Sequence, residues 1–128
     1  MFDEIAHLHK LCFPNKPWSA SDFADLKKSG CEIIVSQNSF AVYRCVANEA
    51  EIITIGVAPD SRRNGIASAL LCIIEKNVKS QLVNKIFLEV ASTNIAGQKL
   101  YINNGYKTVG IRPKYYDGVD AILMAKDL

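Results

Sequence analysis

The residues with the clearest chemical content stand in one run, Arg62-Arg63-Asn64-Gly65-Ile66-Ala67-Ser68. Before them lies an apolar, β-branched stretch closed by Pro59-Asp60, and after them a stretch with helical period, so the run must turn a strand directly into a helix. Gly65 at that joint allows a close backbone approach that a side chain would block. The helix N-terminus presents unpaired N–H groups and a partial positive charge, a ready anion site. Arg62 and Arg63 add positive charge where the dipole already supplies it, and a bound polyanion resolves that conflict. Small residues Ala67, Ser68 and Ala69 let a pyrophosphate lie against the first turn. Neither G-K-[ST] nor G-x-G-x-x-G occurs, so the run is neither an NTPase phosphate loop nor a dinucleotide turn. Taken alone, R-x-x-G-x-A also fits an ordinary surface turn.

Other ionisable residues are less specific. Glu89 is the only one between Ile86 and Val90, and strand alternation sets it on one face with Phe87, where partial desolvation suits a general base. A solvated strand-end carboxylate fits the same pattern. Tyr101 lies seven residues after Asn94, nearly two helical turns, hence on the same helix face. It reads equally as packing. His7 and His9 are two apart on a helix and point to different faces, which is poor metal geometry, so no metal is expected.

The elements that must position these residues follow from period and punctuation. Phe2, Ile5, Leu8 and Cys12 have helical spacing up to Pro14. Ser19 caps a second helix with Asp22 in its first turn, Phe23 and Leu26 inward and Gly30 at its end. Residues 31–37 and 40–47 form a hairpin about Asn38-Ser39, and 51–58 a central strand buried on both faces. A helix over 66–80 follows, with Ile66, Leu70, Ile73, Ile74 and Val78 inward and Glu75, Lys76 and Lys79 outward. Then come a strand over 85–90, a helix from Asn94 to Asn104 ended by Gly105, and closing strands over 106–111 and 119–125 around a loop at Asp117-Gly118. The order is α-α-β-β-β-α-β-α-β-β, an α/β (α+β) fold with a mixed sheet and helices on its faces.

The bulk numbers bound the remainder. A chain of 128 residues, 49% hydrophobic, fits one domain over residues 1–128. Its net charge of +2 comes from 15 basic and 13 acidic residues spread along the chain, which gives nucleic acid no basic stripe to bind. The acidic start and the absence of any apolar run near ~20 residues leave no signal peptide or membrane span. Cys12, Cys31, Cys45 and Cys72 form no C-x-x-C pair and read as reduced packing residues of a cytoplasmic protein.

Ile55-Gly56-Val57-Ala58-Pro59 followed by Arg62-x-x-Gly65-x-Ala67 resembles the coenzyme A signature of the GNAT acetyltransferases. The resemblance runs on through Phe87-Leu88-Glu89-Val90, Asn94, Leu100-Tyr101-x-x-x-Gly105-Tyr106, Tyr115-Tyr116 and Asp120-Ala121-x-x-Met124 to the RimI branch, whose members acetylate ribosomal-protein N-terminal alanines. It implies acetyl-CoA as cosubstrate and a central strand pair that splays, so that Ile55 and Val57 hydrogen-bond the pantetheine arm as another strand would, with Gly56 between them at the cofactor. Pyrophosphate then sits on Arg62, Arg63, Asn64, Gly65, Ile66, Ala67 and Ser68, chiefly through backbone N–H groups, and Asn94 is both helix cap and cofactor contact. Glu89 is implied as general base, directly or through a water, Tyr101 as the acid that reprotonates the thiolate, and the Val57 N–H as oxyanion donor. Tyr115 and Tyr116 are implied at the acceptor. The family's usual first strand is missing ahead of the first helix, and the loop before Asp120 is short.

The acceptor implied is an N-terminal α-amino group, possible partners being ribosomal proteins. Such an amine titrates near about 8, below lysine at about 10.4, and needs less help to become neutral. A lysine side chain or a small-molecule amine as acceptor, or a non-catalytic acyl-CoA-binding module, remain open readings, as do monomer and homodimer.

Overall fold

A computed structural model describes residues 2–116 and 118–128, the Tyr116 side chain excepted. Helix α1 spans Asp3–Cys12, α2 Ala20–Lys28, α3 Ile66–Lys79 and α4 Ile95–Asn103. The strands are β1 Glu32–Val35, β2 Ser39–Val46, β3 Glu49–Val57, β4 Lys85–Ala91, β5 Lys107–Tyr116 and β6 Val119–Asp127. The order of elements is the one expected, and one mixed sheet runs β1-β2-β3-β4-β6-β5. Among the described residues only β3 and β4 pair in parallel, joined by the crossover through α3. No helix among the described residues is long and apolar enough to cross a membrane.

Two apolar layers sandwich the sheet. On one side Leu71, Ile74 and Val78 of α3 and Tyr101 of α4 pack on Ile52, Ile86, Leu88 and Met124. On the other, Ile5 and Leu8 of α1 and Phe23 of α2 pack on Phe40 and Val42 of β2. Phe23 and Phe40 are wholly buried, each burial contributing on the order of 2 kcal/mol. Ser19 caps α2 in a full capping box, its Oγ accepting from the Asp22 N–H at 3.1 Å while Asp22 accepts from the Ser19 N–H at 2.8 Å.

Several expectations need correction. In β3, Glu51 is exposed and Ile53 and Ile55 only half-buried, Ile53 packing toward the α1–α2 layer and Ile55 toward the α3–α4 layer. On α3 the buried line runs through Leu70, Leu71, Ile74 and Val78, leaving Ile73 outside. Glu75 turns inward, since Lys126 Nζ lies 2.8 Å away and the Tyr106 hydroxyl donates to it at 3.1 Å. Burial and then this carboxylate push the Tyr106 phenol up. Cys72 is exposed rather than packed, although all four thiols are free.

β5 was expected to stop at Ile111 but continues to Tyr116. Pro113 permits this because β5 is an edge strand, where a missing N–H costs no ladder bond. A register shift between Arg112 and Tyr116, with the Lys114 N–H donating to Asp120 Oδ1 at 2.9 Å, takes up the extra residues. Tyr115 thus lies within a strand. Asp117 and the Tyr116 side chain lie outside the described residues.

Candidate active site

The strand-to-helix turn is built without a side-chain cap. Ser19 caps α2 and Asn94 caps α4, its side chain accepting from the Gly97 N–H at 2.9 Å, whereas Gly65 leads α3 with no such bond and no acidic residue in the first turn. The first bond of the α3 ladder runs from the Ala69 N–H to the Gly65 carbonyl at 3.0 Å, so the N–H groups of Ile66, Ala67 and Ser68 precede it. Gly65 has φ +75° and Arg63 φ +66°, both left-handed, the second a strained conformation for a side-chain-bearing residue. A Cβ built on Gly65 meets nothing within 4 Å, so the space before the helix is open. Asn64 steadies the turn by donating to the Ser61 carbonyl at 3.2 Å. Ser68 accepts from Asn104 at 3.1 Å, which ties α3 to α4.

β3 opens away from β4. The two pair from Glu49–Lys85 to Ile52–Leu88 and no further, while β2 stays paired with β3 through Val57 and β6 with β4 through Ala91. The Ala58 N–H donates to the Asn38 carbonyl at 2.8 Å, which makes Ser39–Val57 a non-hydrogen-bonded antiparallel pair. The N–H and C=O of Val57, and of Ile55 two residues earlier, therefore point away from β2 into the open seam. An extended amide-bearing chain fits such an edge as a strand would. Gly56 between them also has a packing reason: a Cβ there would lie 2.6 Å from Phe40 Cζ and 2.9 Å from Cys12 Sγ.

The Val57 carbonyl is the junction of strand, turn and α1. Arg62 Nε donates to it at 2.9 Å and the Cys12 thiol at 3.3 Å. Burial pushes the Cys12 thiol up, against the opposite pull of Arg62. Arg62 thus reaches back to the strand end.

Glu89 and Phe87 share the half-buried face of β4, as expected from alternation, and Leu88 and Val90 the buried one. Glu89 stands where β4 has left β3. Arg112 Nη2 lies 3.0 Å from Glu89 Oε1, and its guanidinium carbon is 4.7 Å from the Tyr115 ring centroid. Tyr101 belongs to the opposite layer, 8% exposed beside Leu88 and Val90, with its ring 6.0 Å from that of Tyr106. Glu89 and Tyr101 therefore lie on opposite faces of the sheet.

Sequence reasoning missed Arg112, because its partner is fixed by a register across two strand pairings. It also left His9 unassigned. His9 is 2% exposed, stacks on Trp18 at 4.6 Å and accepts from the Trp18 N–H at Nδ1, 3.1 Å away. Burial, partly offset by Asp22, lowers its pKa to about 4. Among the described residues no three His, Cys, Asp or Glu side chains form a metal-holding group.

A seam where β3 leaves β4, an uncapped helix N-terminus after it, and a carboxylate and a phenol on opposite faces of the sheet suit a phosphate-bearing, amide-containing thioester and an amine. Comparison with known proteins gives the family. The Acetyltransferase (GNAT) family model matches residues 2–106. The [ribosomal protein bS18]-alanine N-acetyltransferase of Escherichia coli K12 is 35% identical over 118 residues, 85% of this chain and 80% of that protein. The crystal structure of the Escherichia coli ribosomal-protein-S18-alanine N-acetyltransferase matches with a TM-score of 0.86 at 30% identity, over 97% of this chain and 85% of that one. A GNAT acetyltransferase from Elizabethkingia anophelis with acetyl-CoA bound shares the fold, with a TM-score of 0.78 at 19% identity over 95% of this chain and 89% of that one.

Proposed function

The chain belongs to the GNAT acetyltransferase family and is an acetyl-CoA-dependent N-acetyltransferase, and from that premise we propose that its acceptor is the α-amino group at a protein N-terminus, a ribosomal protein being the first candidate. The observation that carries this reading is the seam beyond Ile52 and Leu88, with Glu89 and Tyr101 on its two sides. The relative at 35% identity acts on such an N-terminus.

In the proposed reaction the backbone of Ile55 and Val57 takes the pantetheine arm, with Gly56 keeping β3 close to Phe40. The turn from Arg62 to Ser68 takes the pyrophosphate on its N–H groups, and Asn94 fixes the start of α4 against the donor. Glu89 removes a proton from the acceptor ammonium, directly or through a water. The neutral amine attacks the acetyl carbonyl, and the Val57 N–H holds the oxyanion. The C–S bond breaks as Tyr101 gives its proton to the leaving thiolate, and the second proton shed by the nitrogen passes through water to the tyrosinate, which restores Tyr101. An α-amine, titrating near about 8, asks less of Glu89 than a lysine at about 10.4. Tyr115, with Tyr116, borders the acceptor. On this reading residues 1–128 belong to one acetyltransferase domain, which acts in the cytoplasm with its thiols reduced and uses no metal.

The test is consumption of acetyl-CoA with N-terminal peptides of ribosomal and unrelated proteins, lysine-bearing peptides with blocked N-termini, and small amines. Acetylation at the α-amino group of the first set, seen by mass spectrometry, is the expected result. Turnover confined to lysines or small amines would move the acceptor, and binding of acetyl-CoA without turnover would make the chain a binding module.

A further inference from the structure

β5 sends one cation across the sheet to the carboxylate. Arg112 pairs with Ala121, Ala121 with Ala91, and Leu123 with Glu89. Directly opposed residues share a face, so Arg112 and Glu89 lie on the same face with only the Ala121 methyl and Leu123 of β6 between their strands. The small residue clears the path, and Arg112 Nη2 comes to 3.0 Å from Glu89 Oε1. Tyr115 holds the other end, its ring centroid 4.7 Å from the guanidinium carbon.

The side chains of Arg112 and Glu89 are 49% and 26% exposed, and an ion pair that wet adds little to stability. Its effect is on placement. A glutamate has several rotatable bonds and, on the open stretch of β4, no β3 neighbour to confine it. A planar guanidinium stacked on a ring is a rigid partner for such a carboxylate.

We infer that Arg112 is a positioning residue for acetyl transfer, holding the Glu89 carboxylate over the seam, with Tyr115 as the platform that holds Arg112. This rests on the reading of Glu89 as the base. Arg112 acts through Glu89, so its removal changes turnover only while Glu89 is present.

The experiment is a double-mutant cycle on the full chain with acetyl-CoA and the best peptide of the panel. R112A is expected to lower kcat about tenfold, with the KM for acetyl-CoA within about twofold, and to change kcat less than about twofold in an E89Q background. R112K, which keeps the charge but loses the planar group stacked on Tyr115, is expected to recover only part of the loss, and R112Q, which keeps the length alone, little of it. Melting temperatures should stay close to that of the parent. Equal losses in both backgrounds, no loss in either, or full recovery by R112Q would overturn the inference while the Glu89 reading stands. Undiminished turnover in E89Q alone would remove that reading, and this inference with it.

Discussion

Arg62 Nε donates to the Val57 carbonyl oxygen at 2.9 Å, joining the turn before α3 to the last residue of β3. The arginine expected to face phosphate is also a strut between the two places where the donor's ends would lie. R62A is therefore expected to lower kcat/KM about tenfold both with acetyl-CoA and with S-acetylpantetheine, a donor without the pyrophosphate. A loss seen with acetyl-CoA and absent with the truncated donor would assign Arg62 to phosphate contact alone.

The proposed division of labour between Glu89 and Tyr101 predicts two similar kinetic defects. E89Q and Y101F should each lower kcat by about ten- to a hundredfold while cofactor affinity, measured by calorimetry, stays within a few fold. Y101F removes one oxygen from a ring otherwise packed in the core, so its melting temperature should fall little. Unchanged turnover in both variants would sink the assignment of acid and base without touching the cofactor reading.

Gly56 is a packing position with little room to change. An alanine there would press on Phe40 and Cys12, and the strand cannot retreat because β2 pairs with it on one side. G56A is expected to cost about 1–3 kcal/mol in denaturant unfolding and to widen or tilt the seam. A neutral effect on the unfolding midpoint would show that Phe40 can move aside.

His9 makes stability depend on pH. Its folded pKa is near 4 against 6.5 for a free imidazole, so below 6.5 the unfolded chain takes up a proton that the folded chain refuses. The stabilisation present above 6.5 is lost as pH falls towards 4, and amounts to about 3 kcal/mol at most. The stability difference between the parent and His9→Leu, measured in urea at several pH values, should shrink or reverse over that interval. A difference that stays constant from 7 to 4 would mean that His9 is charged within the fold.

The order of elements was legible in the sequence because strands and helices here have clean periods and punctuation: Ser19 with Asp22, Pro59, Gly65, Gly105. Faces were less legible. Ile73 looked like core and Glu75 like surface, since helical spacing does not say where along the barrel of a helix the sheet will lie. Glu75 was decided by Lys126, 51 residues away. The turn at Gly65 showed its charge and glycine directly, but the place where β3 leaves β4 came from family resemblance alone, because no period of Ile52 to Val57 records where pairing stops. Arg112 could not be seen, since its proximity to Glu89 needs β6 to stand between the two strands.

The single parallel ladder has only four residue pairs, from Glu49–Lys85 to Ile52–Leu88, and beyond it the sheet is two three-stranded leaves. On the proposed reading a donor lying in the gap is a temporary seventh strand that bridges the two leaves. Substrate supply thereby becomes mechanical reinforcement: at a hundred times its dissociation constant the donor adds about 2.7 kcal/mol to the folded state. On that reading the same opening that admits the chemistry leaves the empty enzyme without the donor's cross-strand bonds.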